Sequence, residues 1–497
     1  MCMRTFAKSV LVITAFAVCT RVIGFVFRIF LSRILGAEML GVYQMAMSIF
    51  MILLTVVSSG LPLVLSREVA KTAPQDRKVL HLTIAGLLIG LVASVILCGI
   101  ILLGQRILGF IFTDQRSLAI LVVMLPGLIA SSVYAVLRAI WWGEKRFFLL
   151  GLTELIEQIA RVVLFVLFLG FAFYFTDLAH LSAWSFSGAC IISAMVVVII
   201  FIKCAKFSRT PAPRQSYIKP LLKSATPITG VRLLSSLAFP VISVLLPLRL
   251  VAAGWSNIEA ISQLGVVTGM TFPLLTIPST VISALATALV PELSTMITNG
   301  KWDTVRAQIK TVINFTIFIN FIFIPVYIAI GPQIGFFLYA DQNSGLYLAR
   351  SAWAMLPISL SQITNTTLNS MNKENSAIRN YAISAIILFI MIWFMPGIIG
   401  PDAVLLGYGL AMALSSVLNI ITIRKTAQCH TPDQTLLTIT KFVAISVPAF
   451  LMSYFISRLG ATLPMFLNLT LAGSLACATF FGLCWATNLI ILPKKRQ

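Results

Sequence analysis

The stretch CTRVIGFVFRIFLSRILG, residues 19–36, decides the fold class. Its apolar side chains suit a helix inside a lipid bilayer, yet the stretch contains Arg21 and Arg28. These two residues are seven apart, so they project within about 20° of each other on an α-helix. Because an arginine at the bilayer centre costs roughly 2.5–3.5 kcal/mol even on a lenient scale, we expect both to face protein or water. For Arg28, near the outer end of the helix, snorkelling to the interface is the alternative.

The composition of the whole chain is that of a multi-span membrane protein. Its 497 residues are 59% hydrophobic and 10% charged, whereas a soluble domain is about 25% charged. Apolar runs of about 20 residues favour helices over a barrel of short strands. We therefore predict an all-α membrane protein with about fourteen transmembrane helices, at 9–31, 42–66, 79–103, 118–142, 149–174, 182–202, 224–248, 261–290, 311–331, 350–370, 377–397, 403–423, 436–457 and 463–492.

The lysines and arginines that give the chain its net charge of +21 are distributed unevenly between the two sets of loops. Of the 36 lysines and arginines, 25 lie on one set of chain ends and loops, 6 on the alternate loops and 5 within spans. This asymmetry is the positive-inside pattern, so we predict a multi-pass protein of the cell membrane with both termini cytoplasmic. Membrane lipids, rather than nucleic acid, are the partners that such basic loops imply.

Motifs for soluble catalysis are missing from the sequence. There is no CxxC pair, no GxxxxGK[ST] loop and no HExxH helix, and the three histidines are far apart. The longest predicted loop, 203–223, leaves no room for a catalytic domain. We expect no enzyme activity, no metal site and no cofactor.

A long basic loop near the midpoint suggests an internal duplication. Shifting the chain by 224 residues places Leu40-Gly41-Val42 on Leu264-Gly265-Val266, and Glu68 on Glu292. Both copies have the same orientation, which favours parallel repeats around a central cavity, as in transporters that work by alternating access. We predict two six-helix lobes plus two further helices, with domains at 1–203, 204–223 (linker), 224–424 and 425–497. Prolines crowd spans seven and eight and predict bent helices, at positions 220, 227, 240, 247, 273, 278 and 291.

Arginines dominate the charged residues predicted at membrane depth. Four of these arginines have no obvious carboxylate on their own helix: Arg21, Arg28, Arg138 and Arg232. A further arginine, Arg249, lies at the outer end of span seven. A guanidinium keeps its charge and presents a rigid fork of donors that fits phosphate oxygens. We therefore predict an anionic cargo and a pyrophosphate clamp composed of Arg21, Arg28, Arg138, Arg232 and Arg249.

Acidic residues are scarcer at membrane depth. They form two groups, and each group has two possible interpretations. In span five, Glu154 and Glu157 share a helix with Arg161, so the trio is either a neutralised ion-pair strip or a cation or proton site coupled to transport. Glu68 and Glu292 end equivalent spans on the cytoplasmic side. They are either solvated surface carboxylates or parts of a cytoplasmic gate, paired with Arg67 or nearby lysines.

The N-terminal region resembles the stage V sporulation protein B family, a branch of the multidrug, oligosaccharidyl-lipid and polysaccharide flippase superfamily. The resemblance lies in Thr20-Arg21, Gly24-Phe25, Arg28, Gly36-Ala37-Glu38, Gly41-Val42-Tyr43 and Gly60-Leu61-Pro62, and in residues 268–294 with Pro278 and Ala288 to Pro291. Arg67 departs from the small or neutral residue expected there. In span count and spacing the resemblance covers nearly the whole chain, more weakly in the last four spans.

The resemblance implies fourteen helices, alternating access and a lipid-linked glycan as cargo. Relatives include lipid II flippases, in which span-one arginines engage pyrophosphate, and Arg21 and Arg28 fit those positions. The leading hypothesis is a flippase for an undecaprenyl-pyrophosphate-linked cell-wall precursor, driven by membrane potential or a monovalent cation. A polysaccharide repeat-unit translocase, a cation-coupled multidrug exporter and a scaffold that recruits cell-wall synthesis proteins are the alternatives.

Overall fold

The fold is helical throughout the part of the chain that the structure describes. A computed structural model describes residues 2–72, 77–171, 177–204, 217–428 and 435–487. Eleven segments in these ranges are long and apolar enough to cross a membrane. One of them, Ala15–Ala70, has 56 residues and a helical length of about 84 Å, enough for two crossings of a hydrocarbon core of about 30 Å. The prediction of a multi-span helical membrane protein is confirmed, and the number fourteen stays a prediction.

The chain divides into two compact units. The first comprises residues 1–251 with 255–265, and the second 252–254 with 266–497. The helices of the first unit are α1 (Cys2–Ser58), α2 (Gly60–Ala70), α3 (Arg77–Leu103), α4 (Gln105–Ile111), α5 (Gln115–Gly143), α6 (Phe147–Leu169), α7 (Leu178–Cys204), α8 (Ile218–Ser236), α9 (Ala238–Ala252) and α10 (Asn257–Leu264).

The boundary between the units falls within a π-helical turn, Gly265–Thr271, and the second unit ends with two strongly apolar helices. Its helices are α11 (Phe272–Leu275), α12 (Ile277–Thr298), α13 (Trp302–Tyr339), α14 (Gln342–Ser351), α15 (Met355–Ser370), α16 (Glu374–Phe394), α17 (Pro396–Ile399), α18 (Asp402–Ala427), α19 (Thr435–Leu459) and α20 (Met465–Ala486).

The boundary between the units lies beyond the linker predicted at 204–223. The helix α8 packs against α2, and a Cβ added to Gly60 would lie 2.5 Å from the Ala225 carbonyl oxygen. Span seven therefore belongs to the same compact unit as spans one to six. Residues 205–216 of the linker lie outside the described residues. The equal division into lobes at 1–203 and 224–424 stays a prediction.

Helix breaks occur where the sequence places glycine and proline. Gly36 divides α1 with a φ of 68°, a backbone conformation that L side chains rarely adopt. Span seven divides into α8 and α9, and span eight into α10, the π-helical turn, α11 and α12. Pro273 and Pro278 stand in the first turns of α11 and α12, where the missing N–H has no partner to lose. The predicted interruption of spans seven and eight is present.

A close crossing joins two segments that the predicted repeat equates. A Cβ added to Gly41 of α1 would overlap the Ile261 carbonyl oxygen, and one added to Gly265 would overlap the Ala37 carbonyl oxygen. The 224-residue shift equates Gly41 with Gly265 and Ala37 with Ile261. The two contacts are therefore reciprocal, as we would expect if the predicted repeats were related by a local two-fold axis.

An ion-pair cluster joins α1, just after its break at Gly36, to the start of α5. The Asp114 carboxylate caps α5 by accepting from the Arg116 backbone N–H at 2.7 Å. The Arg116 guanidinium in turn lies 2.7 Å from the Asp114 carboxylate and 2.6 Å from that of Glu38. Charge-assisted, forked hydrogen bonds of this kind fix geometry as well as adding energy.

The second unit contains a buried network of uncharged polar groups. The amide of Asn419, which is 0% exposed, donates to Asn365 at 2.9 Å and to Thr364 at 3.2 Å. The Asn380 amide donates to the Asn419 side-chain oxygen at 3.0 Å. These bonds connect α15, α16 and α18, as interhelical hydrogen bonds commonly do between membrane helices.

Candidate functional site

Most of the predicted site residues lie in the first unit. Arg21, Arg28 and Arg67 are on α1 and α2, and the remaining arginines and the span-five carboxylates are on α5, α6, α8 and α9. Glu292, on α12, is the exception. The predicted arginine clamp combined residues from both predicted lobes. In the structure all five of these arginines lie in the first compact unit.

The helix α6 brings three charged side chains onto one face. Glu154, Glu157 and Arg161 stand at i, i+3 and i+7, the spacing at which helical residues are neighbours. The Arg161 guanidinium lies 3.0 Å from the Glu157 carboxylate, and both side chains are about a quarter exposed, at 22% and 23%. The Phe186 ring of α7 covers that guanidinium at 4.7 Å. Helix spacing thus gives the ion pair predicted between these two residues.

Glu154 pairs with a different helix. The Arg138 guanidinium of α5 lies 3.1 Å from the Glu154 carboxylate and also donates to the Leu150 carbonyl at 3.1 Å. The ring of Tyr134, one turn away on α5, stacks on Arg138 at 4.9 Å. The sequence argument treated Arg138 as an arginine without a carboxylate because it considered only partners on the same helix. The structure gives it a partner on α6.

Two buried tyrosines connect these ion pairs with α1. The Tyr134 hydroxyl lies beside Glu157 and Thr153. The Tyr43 hydroxyl lies within electrostatic range of both Arg28 and Arg161. We call the whole group the charge cluster, and it consists of Arg28, Tyr43, Tyr134, Arg138, Glu154, Glu157 and Arg161.

The packing of α1 on α6 places Arg28 in the charge cluster. Gly24, one turn before Arg28, faces the buried Gln158, and a Cβ added there would lie 3.1 Å from the Gln158 amide nitrogen. Arg28 itself is half-buried, whereas Arg21 is exposed on the surface of its unit. With three guanidiniums and two carboxylates, the charge cluster carries a net charge of +1 when all five groups are ionised.

Arg232 and Arg249 lie on α8 and α9, outside the charge cluster. The exposed Arg232 donates to the Ser59 carbonyl at 3.5 Å, at the break between α1 and α2. Arg249 is half-buried in the last turn of α9. No contact described here brings these two arginines together with Arg28, so the five-arginine clamp stays a prediction.

The residues of the predicted cytoplasmic gate are on surfaces. The Glu68 carboxylate lies 2.8 Å from the Lys71 amine of its own helix end, and the two side chains are 36% and 69% exposed. Exposed pairs of this kind contribute about 0–1 kcal/mol. Arg67 and Glu292 are exposed. The gate stays a prediction.

The charge cluster can bind an anion or exchange partners among its own charges. Among the described residues, no three His, Cys, Asp or Glu side chains group so as to hold a metal ion. Sequence reasoning missed Tyr43, Tyr134, Gln158 and Phe186 as members or neighbours of the cluster. A signal for Tyr134 was its place one helical turn before Arg138, on the same face of span four.

Comparison with known proteins identifies relatives along most of the chain. Residues 6–297 match the model of a family described as "Polysaccharide biosynthesis protein". The chain is 24% identical over 443 residues to the stage V sporulation protein B of Bacillus subtilis (strain 168), covering 86% of this chain and 85% of that protein. It is 21% identical over 328 residues to sporulation protein YkvU of the same organism, covering 63% and 71%.

Solved structures with similar folds are transporters. The lipid II flippase MurJ in an inward closed conformation superposes with a TM-score of 0.73, covering 96% of this chain and 100% of that chain at 13% identity. An inward-facing multidrug resistance MATE family transporter of the MOP superfamily gives 0.68, covering 85% and 100% at 12% identity. At these identities the likeness establishes the fold.

Proposed function

Because this chain belongs to the polysaccharide biosynthesis protein family, we propose that it is a flippase that moves a lipid-linked glycan precursor across the membrane. The chain is a flippase-like membrane transporter by family and fold, related to stage V sporulation protein B and similar in fold to MurJ and MATE transporters, and not an enzyme. The finer proposal names the cargo as an undecaprenyl-pyrophosphate-linked, lipid II-like cell-wall precursor. It moves from the inner to the outer leaflet by alternating access.

The observation that carries this proposal is the excess of guanidinium over carboxylate in the charge cluster. Both carboxylates of the cluster already have arginine partners, at 3.1 Å and 3.0 Å. Arg21 adds a further positive charge on the α1 face that carries Arg28. A partly desolvated site with net positive charge favours an anionic headgroup such as a pyrophosphate.

The same observation disfavours cation-coupled multidrug efflux. An exporter of cationic drugs needs a carboxylate that is available to the cargo. Glu154 and Glu157 each lie within 3.1 Å of a guanidinium. A polysaccharide repeat-unit translocase remains the second candidate, because its cargo has the same pyrophosphate chemistry and the family description names polysaccharide biosynthesis. A scaffold role is disfavoured by the cost of burying charged groups in a protein that only recruits partners.

The remaining parts of the proposal concern orientation, energy and partners. The positive-inside pattern supports two cytoplasmic termini in the plasma membrane. Membrane potential, worth about 2.3 kcal/mol per charge per 100 mV, or a monovalent cation is proposed to bias the cycle. Cell-wall synthesis proteins are proposed partners that consume the translocated precursor.

Native mass spectrometry of the purified protein with undecaprenyl-pyrophosphate-linked disaccharide-peptide tests the proposal. We expect the wild type to bind and Arg21→Ala/Arg28→Ala to bind at least tenfold more weakly, a difference of about 1.4 kcal/mol. Arg379→Ala, which removes an exposed arginine of the second unit, is the matched control and should bind normally. Unchanged binding by the double variant would contradict the arginine-based argument. Preference for a peptide-free oligosaccharide carried on the same lipid would favour the polysaccharide alternative.

A further inference from the structure

The pairing of Arg161 with Glu157 uses only part of the guanidinium. The contact is made through the terminal Nη2 atom alone. The Nε atom of Arg161 is buried and has no hydrogen-bond partner among the described residues. Arginine forms its strongest complexes when two parallel N–H groups meet two oxygens of one anion. The geometry of Arg161 therefore leaves donor capacity that a phosphate group could use and that Glu157 does not.

The Tyr134 hydroxyl is a second unsatisfied group next to the same ion pair. It is buried beside Glu157 and Thr153, yet it has no hydrogen-bond partner of good geometry within the described parts of the chain. Buried hydroxyls in proteins are nearly always hydrogen-bonded, so an orphan of this kind calls for an explanation. An ionised carboxylate is the acceptor that such a hydroxyl binds most strongly.

The groups around Glu157 come from three other helices as well as its own. Arg161 and Glu154 share α6 with it, Tyr134 lies beside it from α5 with Arg138 one turn further on, and Cys190 lies near both Glu157 and Arg161 from α7. From α1, Tyr43 lies within range of Arg161 and Arg28. Among these described neighbours, Tyr134 combines a position beside Glu157 with a buried hydroxyl that makes no well-formed hydrogen bond.

We propose that Glu157 is a displaceable internal counter-ion with two positions, one on Arg161 and one on the Tyr134 hydroxyl. When a pyrophosphate headgroup enters the charge cluster, its oxygens replace the Glu157 carboxylate on Arg161, and the carboxylate moves to Tyr134. Arg161 thereby becomes a binding residue for the pyrophosphate group, together with Arg28. This inference rests on the proposed function and adds Arg161, Glu157 and Tyr134 to its site.

The second position is needed for energetic reasons. A half-buried carboxylate that loses its guanidinium without replacement is left with an uncompensated charge, which is strongly unfavourable. The orphan hydroxyl supplies a replacement bond, and the headgroup supplies the anion that Arg161 requires. In the empty state the Glu157 carboxylate neutralises Arg161, so Arg161 itself is not left as an uncompensated cation at membrane depth.

Binding of geranylgeranyl pyrophosphate to the full-length protein in detergent tests this inference by isothermal titration calorimetry. Tyr134→Phe removes the hydroxyl but keeps the ring that stacks on Arg138, and we expect roughly tenfold weaker binding. Glu157→Gln removes the competing carboxylate, and we expect tighter binding by a similar factor. In the Glu157→Gln background, Tyr134→Phe should have no further effect, because Tyr134 acts through Glu157. Tyr327→Phe, at a buried tyrosine of the second unit, is the matched control.

The possible outcomes distinguish failure of this inference from failure of the proposed function. If the wild type does not bind the pyrophosphate, the proposed function is overturned and the inference with it. If the wild type binds but Tyr134→Phe binds equally well, only the inference is overturned. Equal effects of Tyr134→Phe in the wild-type and Glu157→Gln backgrounds would also overturn it, since they would indicate a purely structural role for Tyr134.

Discussion

The crossing of α1 and α10 makes a strong prediction about two glycines. Gly265 has helical backbone angles, with φ −59° and ψ −47°, so alanine fits its backbone conformation. Its added Cβ, however, would lie 2.7 Å from the Gly41 backbone nitrogen and would overlap the Ala37 carbonyl oxygen, whereas ordinary contacts are 3.4–4 Å. The neighbouring atoms are backbone, so the helices themselves must separate.

The cost of this separation can be compared with what alanine gains elsewhere. Overpacking a tight contact costs typically about 1–3 kcal/mol, whereas alanine in place of glycine at an open helical position gains about 1 kcal/mol. Gly99→Ala in α3 is the matched control, because a Cβ there meets nothing within 4 Å. Because the shift in Tm per kcal/mol is roughly 2–4 °C at 150–250 residues and smaller in a longer chain, we expect Gly41→Ala and Gly265→Ala to unfold a few degrees below Gly99→Ala.

Thermal unfolding in detergent, followed by tryptophan fluorescence, measures this difference. The double variant Gly41→Ala/Gly265→Ala should lose less than the two single losses together, because the first substitution already separates the helices that the second would push apart. Equal Tm values for Gly41→Ala, Gly265→Ala and Gly99→Ala would refute the reasoning. Such a result would mean that the crossing is not tight in the folded protein.

Two further predictions concern polar contacts within single units. Asn419→Ala should lower the free energy of unfolding by about 1–3 kcal/mol, because the buried Asn380 amide loses its 3.0 Å acceptor and the Asn365 side-chain oxygen loses its 2.9 Å donor. Chemical denaturation measures this, and an unchanged midpoint would contradict it. Arg116→Lys should lower the Tm by a few degrees, since a lysine cannot span both carboxylates as the arginine fork does. The loss should shrink as salt is added, and a salt-independent loss would point to packing instead.

The two units differ in the chemistry of their buried polar groups. The first unit contains the charge cluster, in which arginines and glutamates pair across α5 and α6. The second contains an amide and hydroxyl network across α15, α16 and α18. Charges at membrane depth are costly and are usually functional, whereas neutral networks chiefly hold helices together. The difference is consistent with the proposed headgroup site on the first unit.

The sequence by itself determined the class of fold and the positions of the interrupted helices. It also determined that arginine dominates the charged residues of the predicted spans. Apolar runs long enough to cross a bilayer leave few alternatives to helices, because backbone polar groups in lipid must bond within their own segment. Glycine and proline act locally, so the breaks at Gly36 and within spans seven and eight follow from single residues. The pairing of Glu157 with Arg161 also follows from helix spacing alone.

Only the tertiary structure decided which charges meet. Arg138 binds Glu154 on a neighbouring helix, and span seven packs with the first unit beyond the predicted linker. The contact between Gly41 and Gly265 likewise joins positions 224 residues apart. Such contacts depend on how helices pack, and packing depends on many side chains at once. A periodic pattern along one helix carries information about its own faces and none about the partner it meets.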